Sequence, residues 1–352
     1  MQPKHITIIG DGSMGTVCAL LLESRGLQVT LWSAFPDHTA ELIQTRENRR
    51  YLPGYRLPDS VHLTSDPSQA LTEAELIVSC VPTQHIRSVW KRLAQYLQPK
   101  IPIASVAKGI ETETLLRPTQ IISDVLSKGS GAGSQFEAVD DPDQPARALA
   151  AISGPSIAAE LARCLPATVC AAAEDPNLAE QIQRTFTTHW FRIYTNQDLL
   201  GVELAGATKN VIALAAGILD GLQAGNNAKS ALLSRGLAEI TRLGIAMGAS
   251  QKTFFGLTGV GDLATTCFSP TGRNRRCGEQ LGRGRKLAEV LDEIPGVVEG
   301  VPTTKSVVAL SQKYRVEMPI THAVHHVLFE GLDPLEAISQ LMSRQPKPEQ
   351  VS

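Results

Sequence analysis

The chain of 352 residues has almost no excess of charge, with 33 Lys+Arg against 35 Asp+Glu and a formal net charge of −2. That balance removes the usual electrostatic reason for nucleic acid or an anionic membrane surface as the main partner. Cysteine is sparse and scattered: Cys18, Cys80, Cys164, Cys170, Cys267 and Cys277 form no CxxC pair and no metal-ligand spacing. No metal site is expected, and a reducing, cytoplasmic setting is. The opening MQPKHITIIG runs straight into a β-branched segment, so no signal peptide is expected. No clean membrane span is present either. The most apolar long stretch, residues 199–222, is interrupted by Glu203, Lys209, Asn210 and Asp220. No internal repeat is visible.

What the chain does contain is apolar residue enough for two cores, and its length suits two domains. The first part alternates strands with helices. Residues 5–9 and 28–32 read as strands around a helix at 13–24. Residues 76–81 and 101–106 are further apolar strands, with helical sequence from about 85 to 97 between them. Such alternation predicts parallel βαβ units with right-handed crossovers. Residues 127–146 are rich in Gly, Ser, Asp and Pro and read as a surface loop. Extended pieces follow at 166–172 and 190–194, and from Asp198, a candidate N-cap, the sequence turns to long Ala- and Leu-rich helices. The expected fold is α/β: an N-terminal Rossmann-type doubly wound domain (1–197), an all-α C-terminal domain (198–342) and a disordered tail (343–352).

The strand at 5–9 leads into Gly10-Asp11-Gly12-Ser13-Met14-Gly15, which opens the next helix. In a dinucleotide fingerprint the first glycine makes the turn, the second admits a pyrophosphate, and the third packs helix on strand. The helix N-terminus then offers its free N–H groups to the diphosphate. Asp11 is an odd neighbour for an anion and must turn away from it. At the end of the second strand, where an acid favours NAD and a base NADP, the chain has Ser33-Ala34-Phe35-Pro36-Asp37-His38. Neither choice is decided, since Asp37 and His38 come late and read equally well as a helix start.

Lys209 lies mid-helix in LLGVELAGATKNVIALAAGILDGL with no polar run leading it to water. Desolvation penalises an ammonium and brings its pKa toward neutrality, which suits a proton donor or acceptor. A lysine that snorkels outward or pairs with Glu203 is the bland alternative. Four clusters accompany it. Val106-Ala107-Lys108-Gly109 ends a strand at the expected mouth of the sheet, and Ser153-Gly154-Pro155-Ser156 follows another apolar run. Gly256 to Gly261 is a glycine-dense loop delivering Asp262, and Thr271-Gly272-Arg273-Asn274-Arg275-Arg276 starts a basic stretch reaching Lys286. Arginine with backbone glycine is a natural anchor for phosphate or carboxylate. Singly, these could be a surface lysine, a helix cap and a solvated basic face. Together they describe a small anionic substrate held beside a nicotinamide.

In the order GxGxxG, VPT, AKG, SGPS, GATKN, GVGD, GRNRR and VVEG, the chain resembles the bacterial-type NAD(P)-dependent glycerol-3-phosphate dehydrogenases from about Ile6 to beyond the MPIT segment at 318–321. The resemblance implies an active site between a Rossmann-type and a helical domain. It implies reversible oxidation of sn-glycerol 3-phosphate at C2 to dihydroxyacetone phosphate with NAD(P)H as cofactor, run as the reduction that feeds phospholipid synthesis. It implies Lys209 as acid and base at the C2 oxygen. Lys108, Gly154, Ser156, Asp262, Gly272, Arg273 and Asn274 would line the substrate. Gly10, Gly12, Ser13, Met14, Gly15, Lys108, Ala158, Arg273, Val297 and Glu299 would contact the cofactor. The partner would be a small molecule, and the chain could form a homodimer.

The sequence departs from that family in several places. Asp11 replaces a small residue, Met14 an aromatic, Gly272 a serine and Ala34 a base, and residues 129–147 are long. Two other readings stay open at this point: a dehydrogenase of similar two-domain build acting on a hydroxy acid or sugar acid, and a non-catalytic dinucleotide sensor.

Overall fold

The computed structural model describes residues 2–128, 147–346 and 348. The chain divides into two compact units, residues 1–107 with 118–199, and residues 108–117 with 200–352. The first unit is built on an eight-stranded sheet: β1 (His5–Ile9), β2 (Gln28–Trp32), β3 (His62–Thr64), β4 (Leu76–Ser79), β5 (Ile103–Ser105), β6 (Leu149–Ser153), β7 (Ala167–Ala173) and β8 (Phe191–Asn196). Their order in space is β3-β2-β1-β4-β5-β6-β7-β8. Every neighbouring pair is parallel except β6 with β7. β1 lies inside the sheet, with Ile6 in register with Val29 on one side and Leu76 on the other. A parallel strand covered on both faces must be apolar at successive positions, and Ile6, Ile8 and Ile9 are all buried.

The helices of this unit are α1 (Ser13–Ser24), α2 (Pro36–Thr45), α3 (Pro67–Leu71), α4 (Ile86–Leu93), α5 (Pro118–Lys128), α6 (Ala158–Leu161) and α7 (Pro176–Phe186). Two of them start from the same dipeptide. Asp66 accepts from the Ser68 N–H at 2.8 Å, and Asp175 from the Asn177 N–H at 2.9 Å, each with proline next, where a missing N–H costs nothing.

The second unit is helical: α8 (Leu199–Gly221), α9 (Gly225–Ala246), α10 (Gln251–Phe254), α11 (Asp262–Phe268), α12 (Arg273–Gly282), α13 (Leu287–Glu293), α14 (Gly300–Tyr314), α15 (Pro319–Phe329) and α16 (Pro334–Met342). A single π turn, Leu257–Gly261, leads into α11. α8 is long and apolar enough to cross a bilayer, yet it is surrounded by protein. It crosses α12 at very short range through paired glycines. A Cβ on Gly217 would lie 1.9 Å from the Arg275 carbonyl oxygen, and one on Gly278 2.0 Å from that of Leu214. Gly221 and Gly282 face backbone in the same way, at 2.3 and 2.4 Å. Only glycine permits this approach, which sets the start of α12 against the middle of α8.

The structure differs from the sequence reading in definite places. The strand expected at 101–106 is β5 alone, and Lys108 is the first residue of the second unit rather than the end of a strand. Residues 108–117 therefore leave the domain to which the expected 1–197 boundary gave them. Their anchors explain this: the Ser306 hydroxyl donates to the Ile110 carbonyl at 2.9 Å, and Arg117 pairs with Glu203. The helix expected from 85 to 97 is α4 flanked by two short 3-10 turns. The antiparallel step at β6–β7 is a matter of strand pairing that the sequence does not show, and β3, of three residues, is too short to announce itself. The long segment at 129–147 lies, except for Arg147, outside the described residues, as do 347 and 349–352 of the expected tail.

Candidate active site

In the first unit the fingerprint turns as its glycines require. Gly10 has φ +107°, and a Cβ there would sit 3.0 Å from the Cys80 carbonyl oxygen. A Cβ on Gly15 would stand 1.9 Å from the Gly10 carbonyl, so α1 could not approach β1. Gly12 is different, because a Cβ there would meet nothing within 4 Å. That open space lies at the N-cap of α1, which no side chain caps. Bare helix N–H groups above an unfilled cradle fit the diphosphate of a dinucleotide. Ser13 at the helix start donates to the Tyr51 carbonyl at 2.6 Å, and Met14 is half-buried against the core. Asp11 turns inward: the Ser33 hydroxyl donates to its Oδ2 at 2.7 Å, and His38 Nδ1 lies 2.5 Å from the same oxygen.

The chemistry-bearing cluster lies within the second unit. Asp262, the first residue of α11, is buried and bridges two ammonium groups. Lys108 Nζ donates to its Oδ2 at 2.8 Å, and Lys209 Nζ to its Oδ1 at 2.9 Å. Lys209 therefore pairs with Asp262, while Glu203 is taken by Arg117. Lys209 also donates to the Thr266 hydroxyl, one turn after Asp262, which itself reaches Asp262 Oδ1 at 3.3 Å. Desolvation, helped by the nearby Lys108 charge and opposed by Asp262, lowers the Lys209 ammonium to about 8. Burial works to raise the Asp262 carboxyl, but the two ammonium groups outweigh it and hold it below its ordinary value. One ammonium hydrogen of Lys209 keeps no partner among the described residues.

A chain of amides ties this cluster to the start of α12. Asn210 Nδ2 donates to the Lys108 carbonyl at 2.8 Å, Asn274 Nδ2 to Asn210 Oδ1 at 2.9 Å, and the Gly300 N–H to Asn274 Oδ1 at 2.9 Å. The Asn274 side chain is thus used for structure, and its backbone N–H remains at the helix N-terminus. Gly272 is the N-cap of α12 and provides no side chain to cap it. The basic stretch largely resolves into local ion pairs. Arg275 binds Asp220 at 2.6 Å, Arg283 pairs with Glu279, and Arg285 binds Glu293 at 2.6 Å. Arg276 and Lys286 stay outside these pairs, and so does Arg273. Arg273 has no hydrogen bond or ion pair closer than 4 Å among the described residues, though burial of its guanidinium lowers its pKa and the Glu299 charge opposes that, and it lies close over Gly296, where a Cβ would be 2.8 Å from its Nη1.

Lys108, Lys209 and Asp262 are in direct contact, and Gly272, Arg273 and Asn274 are joined to them through Asn210. Val297 and Glu299 lie in the turn before α14, with Glu299 as its N-cap. Gly154 and Ser156 belong to the first unit, in the turn between β6 and α6, and Ala158 begins α6. The Ser156 hydroxyl donates to the Gly154 carbonyl at 3.0 Å, and Gly154, at φ +131°, rests on Val169. Two contributors escaped assignment from sequence, Thr266 and the Asn210 amide. The four-residue spacing from Asp262 to Thr266 on one helix was the available signal.

The chain is similar to known proteins over nearly its whole length. The family model for the NAD-dependent glycerol-3-phosphate dehydrogenase N-terminus matches residues 5–179, and that for its C-terminus matches residues 198–339. The glycerol-3-phosphate dehydrogenase [NAD(P)+] of Bacillus pumilus (strain SAFR-032) is 46% identical over 341 residues, covering 97% of this chain and 94% of the relative. The one from Pelotomaculum thermopropionicum is 45% identical over 96% of this chain and 93% of its own. The crystal structure of glycerol-3-phosphate dehydrogenase from Coxiella burnetii superposes with a TM-score of 0.88 at 37% identity, covering 97% of this chain and 99% of that one. With both halves matched by one family and a single relative aligned along nearly its whole length, the chain belongs to the NAD-dependent glycerol-3-phosphate dehydrogenases.

Proposed function

We propose that this chain interconverts dihydroxyacetone phosphate and sn-glycerol 3-phosphate with NAD(P)(H), and that Lys209 exchanges the proton at the C2 oxygen. The observation that carries the reading is the buried bridge Lys209–Asp262–Lys108. Asp262 and Thr266 hold the Lys209 ammonium by two of its hydrogens and leave the third to be given to an oxygen. The cofactor, held at Gly10, Gly12, Ser13, Met14 and Gly15, supplies or accepts the hydride at C2 when bound. Gly154, Ser156, Ala158, Val297 and Glu299 complete the proposed contacts. Reduction run in this direction supplies the glycerol phosphate backbone for phospholipid synthesis.

Arg273 and the N–H groups at the start of α12 suit the phosphate, a dianion that gains from a guanidinium and from a helix N-terminus together. Anchoring a remote phosphate also aligns C2, because binding energy spent there fixes the reacting carbon. Arg273→Ala should therefore raise the Michaelis constant for dihydroxyacetone phosphate by about tenfold or more. Steady-state kinetics with varied substrate at saturating cofactor test this. An unchanged constant would place the phosphate elsewhere.

The proton role has a pH signature with opposite signs in the two directions. Reduction needs the ammonium, so its kcat/KM should fall as pH rises through about 8, the value to which burial brings Lys209. Oxidation needs the free amine and should rise over the same range. Parallel pH profiles in the two directions would contradict Lys209 as the exchanging group. The decisive assay of the function itself is the initial rate of dihydroxyacetone phosphate reduction, compared with simple keto acids. Turnover of the keto acids alone would assign the anion site to a carboxylate.

A further inference from the structure

The end of β2 has no basic residue in its own sequence, since Ser33, Ala34 and Phe35 stand there. A base arrives from elsewhere in the fold. Arg92, in the last turn of α4, reaches the same strand end, donating through Nη1 to the Ala34 carbonyl at 3.3 Å and through Nη2 to the Ser65 carbonyl at 3.5 Å. Its guanidinium stacks over the Trp32 ring, with Cζ 5.3 Å from the centroid. The residue is exposed, both hydrogen bonds are long, and its other N–H groups have no partner among the described residues. A planar cation held in place by a ring, with donors to spare, is built to receive a dianion.

The acids nearby are placed so as not to compete. Asp11 is buried, and its Oδ2 is occupied by Ser33 and His38. Asp37, in the first turn of α2, is exposed to water, which screens it. In doubly wound folds this strand end is where the adenosine ribose is read, a cation there favouring its 2′-phosphate. We propose that Arg92 is the specificity-determining residue of this chain for the cofactor, the group that binds the 2′-phosphate of NADP(H) in place of a base on β2. The assignment rests on the dinucleotide reading of the Gly10–Gly15 loop.

Direct binding tests it without turnover. The purified chain is titrated with NADPH and with NADH, following nicotinamide fluorescence, for wild type, Arg92→Gln and Arg92→Lys. Wild type should bind NADPH at least as tightly as NADH. Arg92→Gln should raise the ratio of the NADPH to the NADH dissociation constant about tenfold or more, and Arg92→Lys should recover part of it. Two results would overturn the assignment: a ratio unchanged in Arg92→Gln, whether or not both nucleotides weaken together, or a wild type that rejects NADPH. A wild type that binds neither nucleotide would sink the dinucleotide reading along with it, which keeps the two failures apart.

Discussion

Lys209→Met should reduce turnover of dihydroxyacetone phosphate by about 100- to 10,000-fold, the range a positioned proton donor contributes. Methionine keeps the length of the side chain and suits the apolar helix around it, so the variant should fold. The charge balance supports this. In the native cluster two ammonium groups share one carboxylate. Without Lys209, Asp262 keeps Lys108 as its partner and is not left as a lone buried charge, the outcome that makes removing one member of a buried pair so costly. The loss should appear in kcat. NADH binding should stay within about twofold of wild type, because the proposed diphosphate site is made by Gly10 to Gly15 and not by α8. Single-turnover reduction and a cofactor titration on the same variant check both parts. Near-wild-type turnover would remove Lys209 from the mechanism. Asp262→Asn is the contrasting variant: it leaves the buried Lys209 and the partly buried Lys108 without their counter-charge, so the fold should suffer as well as the rate.

Much of this was legible in the sequence because a few residues stand against their surroundings. Lys209 is conspicuous in a helix made mostly of Leu, Val, Ile, Ala and Gly, and the glycine spacing at residues 10–15 sits where a strand meets a helix. Both are local signals. What was not legible depends on contacts between distant segments. Lys108 precedes Asp262 by 154 positions, and nothing in AKG says whether its side chain meets water or a carboxylate. The membership of residues 108–117 in the helical unit rests on Arg117–Glu203 and on Ser306 reaching Ile110, pairs that no periodicity reveals. The basic run after Gly272 misled in the opposite sense. In one dimension it is a single patch, but in the fold Asp220, Glu279 and Glu293 neutralise Arg275, Arg283 and Arg285, and Arg273 stands apart. Asp11, which looks hostile to a diphosphate, is explained by Ser33 and His38 drawing its carboxylate inward.

The second large effect is expected from a single methyl group at the crossing of α8 and α12. Gly278→Ala should destabilise the protein by about 3 kcal/mol or more, the upper end of what overpacking a core costs. The added Cβ would stand 2.0 Å from the Leu214 carbonyl oxygen and 3.0 Å from the Ile218 nitrogen, both of them backbone, so no side chain can turn aside to make room. Relief requires α8 and α12 to separate. The same movement draws the start of α12 from α8, stretching the 2.9 Å bond between Asn274 and Asn210 and displacing Arg273 with it. The variant should accordingly show two linked changes, a thermal midpoint lower by about 4 °C or more and a raised Michaelis constant for dihydroxyacetone phosphate, while NADH binding is little altered. Calorimetry and steady-state kinetics measure them separately. Gln280→Ala, on the same helix but away from the glycine contacts, is the control and should leave both values near wild type. If Gly278→Ala melts like wild type, the two helices are not in backbone contact. If it melts early with an unchanged Michaelis constant, the glycine crossing supports the fold without positioning the phosphate anchor.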